Sequence, residues 1–185
     1  QHNRLSHALL FLGKEGSGSL SLAIAFAQYI VCEKVNGKQS AVGSQQSGPS
    51  LFGDAEPQTP NPKPEVLNDS CGVCSACIKA QQLIHPDIHF SYPTVTKKPG
   101  EKPVATDFIS EWREFIKLSP YGNSFDWIEQ IKEKENSQGK ITAEECNDII
   151  RKLSLKSFES EYKILIMWMP EMLGTEGNKL LKLIE

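Results

Sequence analysis

Gly13-Lys14-Glu15-Gly16-Ser17-Gly18-Ser19-Leu20 decides how this chain is read. The apolar run Ala8-Leu9-Leu10-Phe11-Leu12 precedes it, and a nearly all-apolar helical stretch, Leu20 to Val31, follows. A buried strand, a glycine loop and a helix, in that order, form the layout of a phosphate-binding P-loop, whose template is G-x-x-x-x-G-K-[ST]. Gly13 and Gly18 stand at the required separation, but Ser19 takes the place of the lysine and Leu20 that of the Ser or Thr. The lysine supplies positive charge to the β/γ-phosphates and the hydroxyl holds Mg²⁺; Ser19 and Leu20 do neither. Lys14 lies in the loop at the wrong position, and Ser21 comes one residue late. Two readings stay open: an ordinary glycine turn, or a P-loop that kept its backbone and lost its nucleotide chemistry.

A second strand bears on that choice. P-loop ATPases hold Mg²⁺ and orient the attacking water with carboxylates on a neighbouring strand. The run Tyr162-Lys-Ile-Leu-Ile-Met-Trp-Met169 reads as a central buried strand that Pro170 ends. Trp168 and Met169 stand at its end, where the carboxylate belongs, and Glu171 falls beyond the proline. Two failures at two expected positions favour a decayed ATPase over a chance glycine turn.

The rest of the chain predicts an α/β domain with a mostly parallel sheet. Asn36 to Asp69 holds five prolines and four glycines with one aromatic, Phe52. Such a stretch cannot bury enough apolar surface to offset its ordering entropy, so a disordered insertion is expected over 36–69. A short helix is predicted from Ser75 to Leu83, ended by Pro86 in His85-Pro86-Asp87, then a strand over Ile88–Tyr92. Phe108, Ile109, Trp112, Phe115 and Ile116 recur at helical spacing behind Asp107 as N-cap; Trp127, Ile128 and Ile131 mark a second helix. Together they read as an inserted helical hairpin over 107–135. Thr142 and Glu145 form a capping-box signature for a helix to about Lys152, and a last helix is expected over Thr175–Glu185.

Cys71-Gly-Val-Cys74-Ser-Ala-Cys77 places three sulfurs on one turn and the start of a helix. Tetrahedral zinc takes four ligands, usually Cys or His. Cys32, at the end of the first helix, is the chosen fourth, with His85 and His89 as rivals. The long intervening loop is no obstacle, because doubling a loop costs only about 0.6 kcal/mol, whereas structural zinc returns on the order of 10 kcal/mol or more. A zinc module over 32–83 is therefore expected, containing the 36–69 insertion. Cys146 reads as a small buried hydrophobe.

The net charge of −3 argues against a domain that grips nucleic acid by charge, and Lys97-Lys98 is only a pair. No apolar run approaches the length of a membrane span, and Gln1-His2-Asn3-Arg4 leads straight toward the first strand without a secretory signal. Lacking an initiator Met and stopping on an apolar helical face, the 185 residues read as the N-terminal domain, 1–185, of a longer protein.

The degenerate loop Gly13–Leu20, the Cys32/Cys71/Cys74/Cys77 set, His85-Pro86-Asp87 and the ending Asn178-Lys-Leu-Leu-Lys-Leu-Ile-Glu185 resemble the bacterial clamp-loader subunits of DNA polymerase III, and among them the delta-prime type. That resemblance implies an AAA+ domain of RecA-like, three-layer α/β fold with a spliced-in zinc module. It implies a subunit that does not hydrolyse ATP and serves as a stator against gamma/tau and delta neighbours while the sliding clamp is placed on primed DNA in the bacterial cytoplasm. The 36–69 and 107–135 segments depart from the family pattern. A gamma/tau-like ATPase and a zinc-ribbon nucleic-acid module are the alternative readings.

Overall fold

The computed structural model describes residues 6–37, 69–97, 100, 102–133 and 137–184. Most of the expected 36–69 insertion lies outside them. Two strands, β1 (Ile88–Ser91) and β2 (Ile164–Met167), pair in parallel with Ile88 opposite Ile164 and Ser91 opposite Met167. Alternation along β2 sends Ile164, Ile166 and Trp168 to one face and Leu165 and Met167 to the other. The first face meets α1 (Ser19–Val31), α2 (Ser75–Gln81), α3 (Ile109–Leu118) and α4 (Ser124–Ile131) in the larger core. The second meets α5 (Ala143–Ser154) and the 3₁₀ segment Pro170–Leu180 around Cys146, Ile149 and Leu180. The result is a small parallel sheet between two helical layers, a mixed α/β architecture.

Local signals explain most boundaries. α1 begins after Gly18, whose φ of +82° turns the loop into the helix. α2 takes the Cys74 side chain as its N-cap, and α5 takes Thr142, whose Oγ1 accepts from the Glu145 N–H at 3.1 Å. At α4, Asn123 and Asp126 exchange side-chain and backbone hydrogen bonds at 2.9 and 3.1 Å. The C-terminal helix expected over 175–185 is instead the 3₁₀ segment, broken at Gly174 with φ +57°, followed by the short helix α6 (Leu181–Ile184).

Three further expectations need correction. Ala8–Leu12 is not a buried strand: it is irregular, with Leu10 75% and Leu12 84% exposed. A strand exists only within a hydrogen-bonded ladder, and among the described residues no strand runs beside this segment, so its apolar composition alone cannot make one. The mostly parallel sheet accordingly has two described strands. Asp107 is not an N-cap: it sits inside a 3₁₀ turn, Ala105–Phe108, and its Oδ2 accepts from the Val104 N–H at 2.9 Å. Glu145 does not reach back to Thr142; its Oε2 accepts from the Ala105 N–H at 2.6 Å, forty residues earlier.

Large aromatics hold the main core. Tyr92 stacks on Trp112 at 4.0 Å between centroids, and Trp127 meets both edge-on at 5.2 Å. Two of their three polar ends are satisfied: Tyr92 Oη donates to the Ala105 carbonyl and Trp127 Nε1 to that of Pro93, each at 2.7 Å, whereas Trp112 Nε1 is buried without a hydrogen-bond partner among the described residues.

Candidate metal centre and the glycine loop

Cys32 follows the last turn of α1, and Cys71, Cys74 and Cys77 wrap the start of α2. The two helices pack together. Asn36 bonds the Ile30 and Cys32 carbonyls at 2.6 and 3.1 Å, tying down the end of α1; Glu33 accepts from the Ala76 N–H at 3.3 Å at the start of α2. Gln28 Nε2 donates to Ser70 Oγ at 2.9 Å, beside Cys71. Gly72 turns the chain between Cys71 and Cys74 with φ +71°, a conformation that suits glycine.

This scaffold brings the four sulfurs within 4.8 Å of one another. Cys71 Sγ and Cys77 Sγ are 3.9 Å apart. With Zn–S bonds of about 2.3 Å, a tetrahedral site has sulfur–sulfur edges of about 3.8 Å, so the donor set fits a metal of that size. The backbone N–H groups of Cys71, Cys74 and Cys77 point at Cys32, Cys71 and Cys74 Sγ at 3.4, 3.4 and 3.5 Å. Such donors favour thiolate, the form that binds metal. At Cys71, burial pushes the pKa up, but the N–H groups of Val73 and Cys74 outweigh it and bring the thiol down to about 6. At Cys77, burial and then the neighbouring Cys74 push it up.

The rival ligands lie elsewhere. His85 Nδ1 accepts from the Asp87 N–H at 3.1 Å. His89 sits on β1, and burial, followed by Lys152 and Lys163, lowers its pKa. Cys146 is fully buried in the second core.

The glycine loop stands at the other end of α1. The Ser17 N–H donates to the Lys14 carbonyl at 3.0 Å, and Gly16 and Gly18 hold φ of +74° and +82°. Ser19 is half-buried at the helix start, and Leu20 is buried in the main core. A Cβ on Gly13 would overlap the Ser17 side chain. Trp168, at the end of β2, is only 9% exposed, with its ring 5.4 Å from that of Trp112 and 5.8 Å from that of Phe115. Met169 follows with φ +57°, an uncommon value for a residue with a Cβ, and turns the chain into Pro170.

A family model described as DNA polymerase III, delta subunit, matches residues 1–50 and 58–185. The chain belongs to that family. Curated proteins and solved structures give no match. Membership makes this delta-family chain a clamp-loader-related subunit of DNA polymerase III, with a role in replication alongside other subunits of that assembly. The mixed α/β architecture fits a clamp-loader AAA+ domain. Among the described residues no helix is long and apolar enough to cross a membrane.

One functional feature escaped sequence reasoning. Asp87 is fully buried and accepts from the backbone N–H groups of Phe158, Glu159 and Ser160 at 2.6, 2.7 and 2.8 Å. Burial alone would raise its pKa; those three donors outweigh burial and hold it below the usual carboxylate value. The Asp87 carbonyl also accepts from the Ile164 N–H at 2.8 Å. His85-Pro86-Asp87 thereby fixes the approach to β2. The motif was visible in the sequence; its partners, more than seventy residues away, were not.

Proposed function

We propose that this delta-family chain is a non-hydrolysing, delta-prime-like stator of the clamp loader, and that Cys32, Cys71, Cys74 and Cys77 hold a structural zinc ion. The observation that carries the first part is Trp168. The position where an ATPase needs a carboxylate is a large ring packed among Trp112 and Phe115, and a carboxylate there would be buried in apolar surroundings at a cost of several kcal/mol. Ser19 and Leu20 add no charge and no metal ligand at the loop. The chain then contributes shape and contacts to its neighbours, gamma/tau and delta, while the clamp is loaded on primed DNA.

Zinc would join the end of α1 to the start of α2 across the 38–68 segment, and so define a module over 32–83. Residues 107–135 form a second insertion, the α3–α4 pair. Isothermal titration with Mg-ATP and a turnover assay test the catalytic reading: no turnover is expected, and micromolar binding with steady hydrolysis refutes it. Metal analysis tests the site: about one zinc per chain is expected, lost in Cys74→Ser. Metal-free protein from a chelator-free preparation counts against it.

A further inference from the structure

We propose that the α3–α4 pair is a plug built into this chain, filling the cleft between the glycine loop and the end of β2 where a P-loop ATPase holds its nucleotide. The inference rests on the non-hydrolysing reading and names what took the ligand's place.

The plug touches both ends of that cleft. At the loop, Ser21 Oγ donates to the Pro120 carbonyl at 2.5 Å. The Tyr121 ring lies against Gly18, close enough that a Cβ there would come within 2.8 Å of Cε1, and the Tyr121 carbonyl faces Gly16. At the strand, α3 delivers Trp112 and Phe115 onto Trp168. The two contacts belong to one braced piece. The Ser119 N–H donates to the Phe115 carbonyl and the Gly122 N–H to that of Ser119, each at 2.8 Å. Phe115 also packs against Gly122, where a Cβ would meet Cζ at 2.7 Å. Past the turn, Trp127 of α4 anchors to the Pro93 carbonyl. Leu20, Phe115, Trp127 and Trp168 share one continuous core.

The missing chemistry at the loop thus has a positive counterpart. Ser21, one place late for Mg²⁺, is in position to hold the hairpin turn. Gly18 must lack a Cβ twice over, for its φ of +82° and for the ring against it. Residues 12–17 of the loop stay exposed, but a phosphate seated against Gly18 at the start of α1 meets the Tyr121 ring, and the turn that carries Tyr121 is fixed through Phe115 to Trp168.

Hydrogen exchange on the full chain, with Mg-ATP titration in parallel, tests the plug. In Ser21→Ala/Tyr121→Ala, exchange over 13–22 and over 115–124 rises together by about tenfold, the scale of losing one hydrogen bond and one ring contact. Exchange in α5 and zinc content stay at wild-type values. Tyr121→Ala alone, at a residue 65% exposed, gives a smaller rise of the same pattern and serves if the double variant fails to fold. A rise over 115–124 with 13–22 unchanged overturns the plug. So does Mg-ATP binding to the wild type that leaves hairpin exchange untouched. Turnover by the wild type, with loop exchange still governed by Tyr121, refutes the non-hydrolysing reading and supports the plug as a lid that opens.

Discussion

Asp87→Asn is the sharpest test of how this fold is held. The Asp87 carboxylate is fully buried and accepts three backbone N–H bonds of 2.6–2.8 Å from residues 158–160. A hydrogen bond to a charged acceptor contributes about 1.5–3 kcal/mol. The donating segment is largely exposed, as at Phe158, so its N–H groups recover water when released, and about half of the summed value survives. Asparagine keeps one carbonyl oxygen but turns an NH₂ toward donors. The expected loss is about 3 kcal/mol, which at a urea slope of about 2 kcal/mol/M moves the midpoint down by about 1.5 M with the slope unchanged. The pH dependence adds a second readout. Because the folded pKa is depressed, the stabilisation is full above the ordinary value of 3.8 and fades as pH falls through the folded pKa. Wild type and Asp87→Asn therefore converge in acid and separate toward neutral pH. Urea melts at fixed zinc concentration measure both effects. An unfolding free energy within about 0.5 kcal/mol of wild type at neutral pH, or a gap that does not close in acid, would refute the reasoning.

Other substitutions test other parts. Cys77→Ser removes a fully buried sulfur from the tetrad; zinc content should drop, and chelator should lower the Tm of wild type while leaving the variant's unchanged. Glu145 is pushed above its ordinary pKa of 4.5 by burial, against the opposing Ala105 N–H. Its favourable contribution is present below that value and lost as pH rises through the folded pKa. Glu145→Gln keeps an acceptor for Ala105, so it should gain stability relative to wild type as pH rises toward neutral, read by thermal melts across pH. Trp168→Ala empties a site bounded by Trp112 and Phe115 and should cost about 3–5 kcal/mol by denaturant titration.

Delta-family membership places the chain in an assembly. For the proposed non-hydrolysing role, Trp168 is the informative side chain, because its surroundings are physically hostile to a carboxylate. The cysteine tetrad adds another element: its four sulfurs meet at the corner where the end of α1 packs on the start of α2.

Whatever depends on neighbours three or four residues apart was legible in the sequence. The capping of α5 by Thr142, the spacing of Cys71, Cys74 and Cys77, the amphipathic faces of α3 and α4, and the apolar run of β2 are local patterns, set by helix and strand periods. Partners far apart in the chain were decided by tertiary packing. Cys32 was picked from the sequence as the fourth sulfur, but the packing that brings it to Cys71, and leaves His85 and His89 elsewhere, is tertiary; Glu145 chose Ala105 over Thr142; Asp87 found the 158–160 backbone; and Ala8–Leu12, apolar enough for a strand, lies outside the described sheet. A sequence period fixes which face of an element is apolar, but which groups meet across the fold depends on how the layers stack.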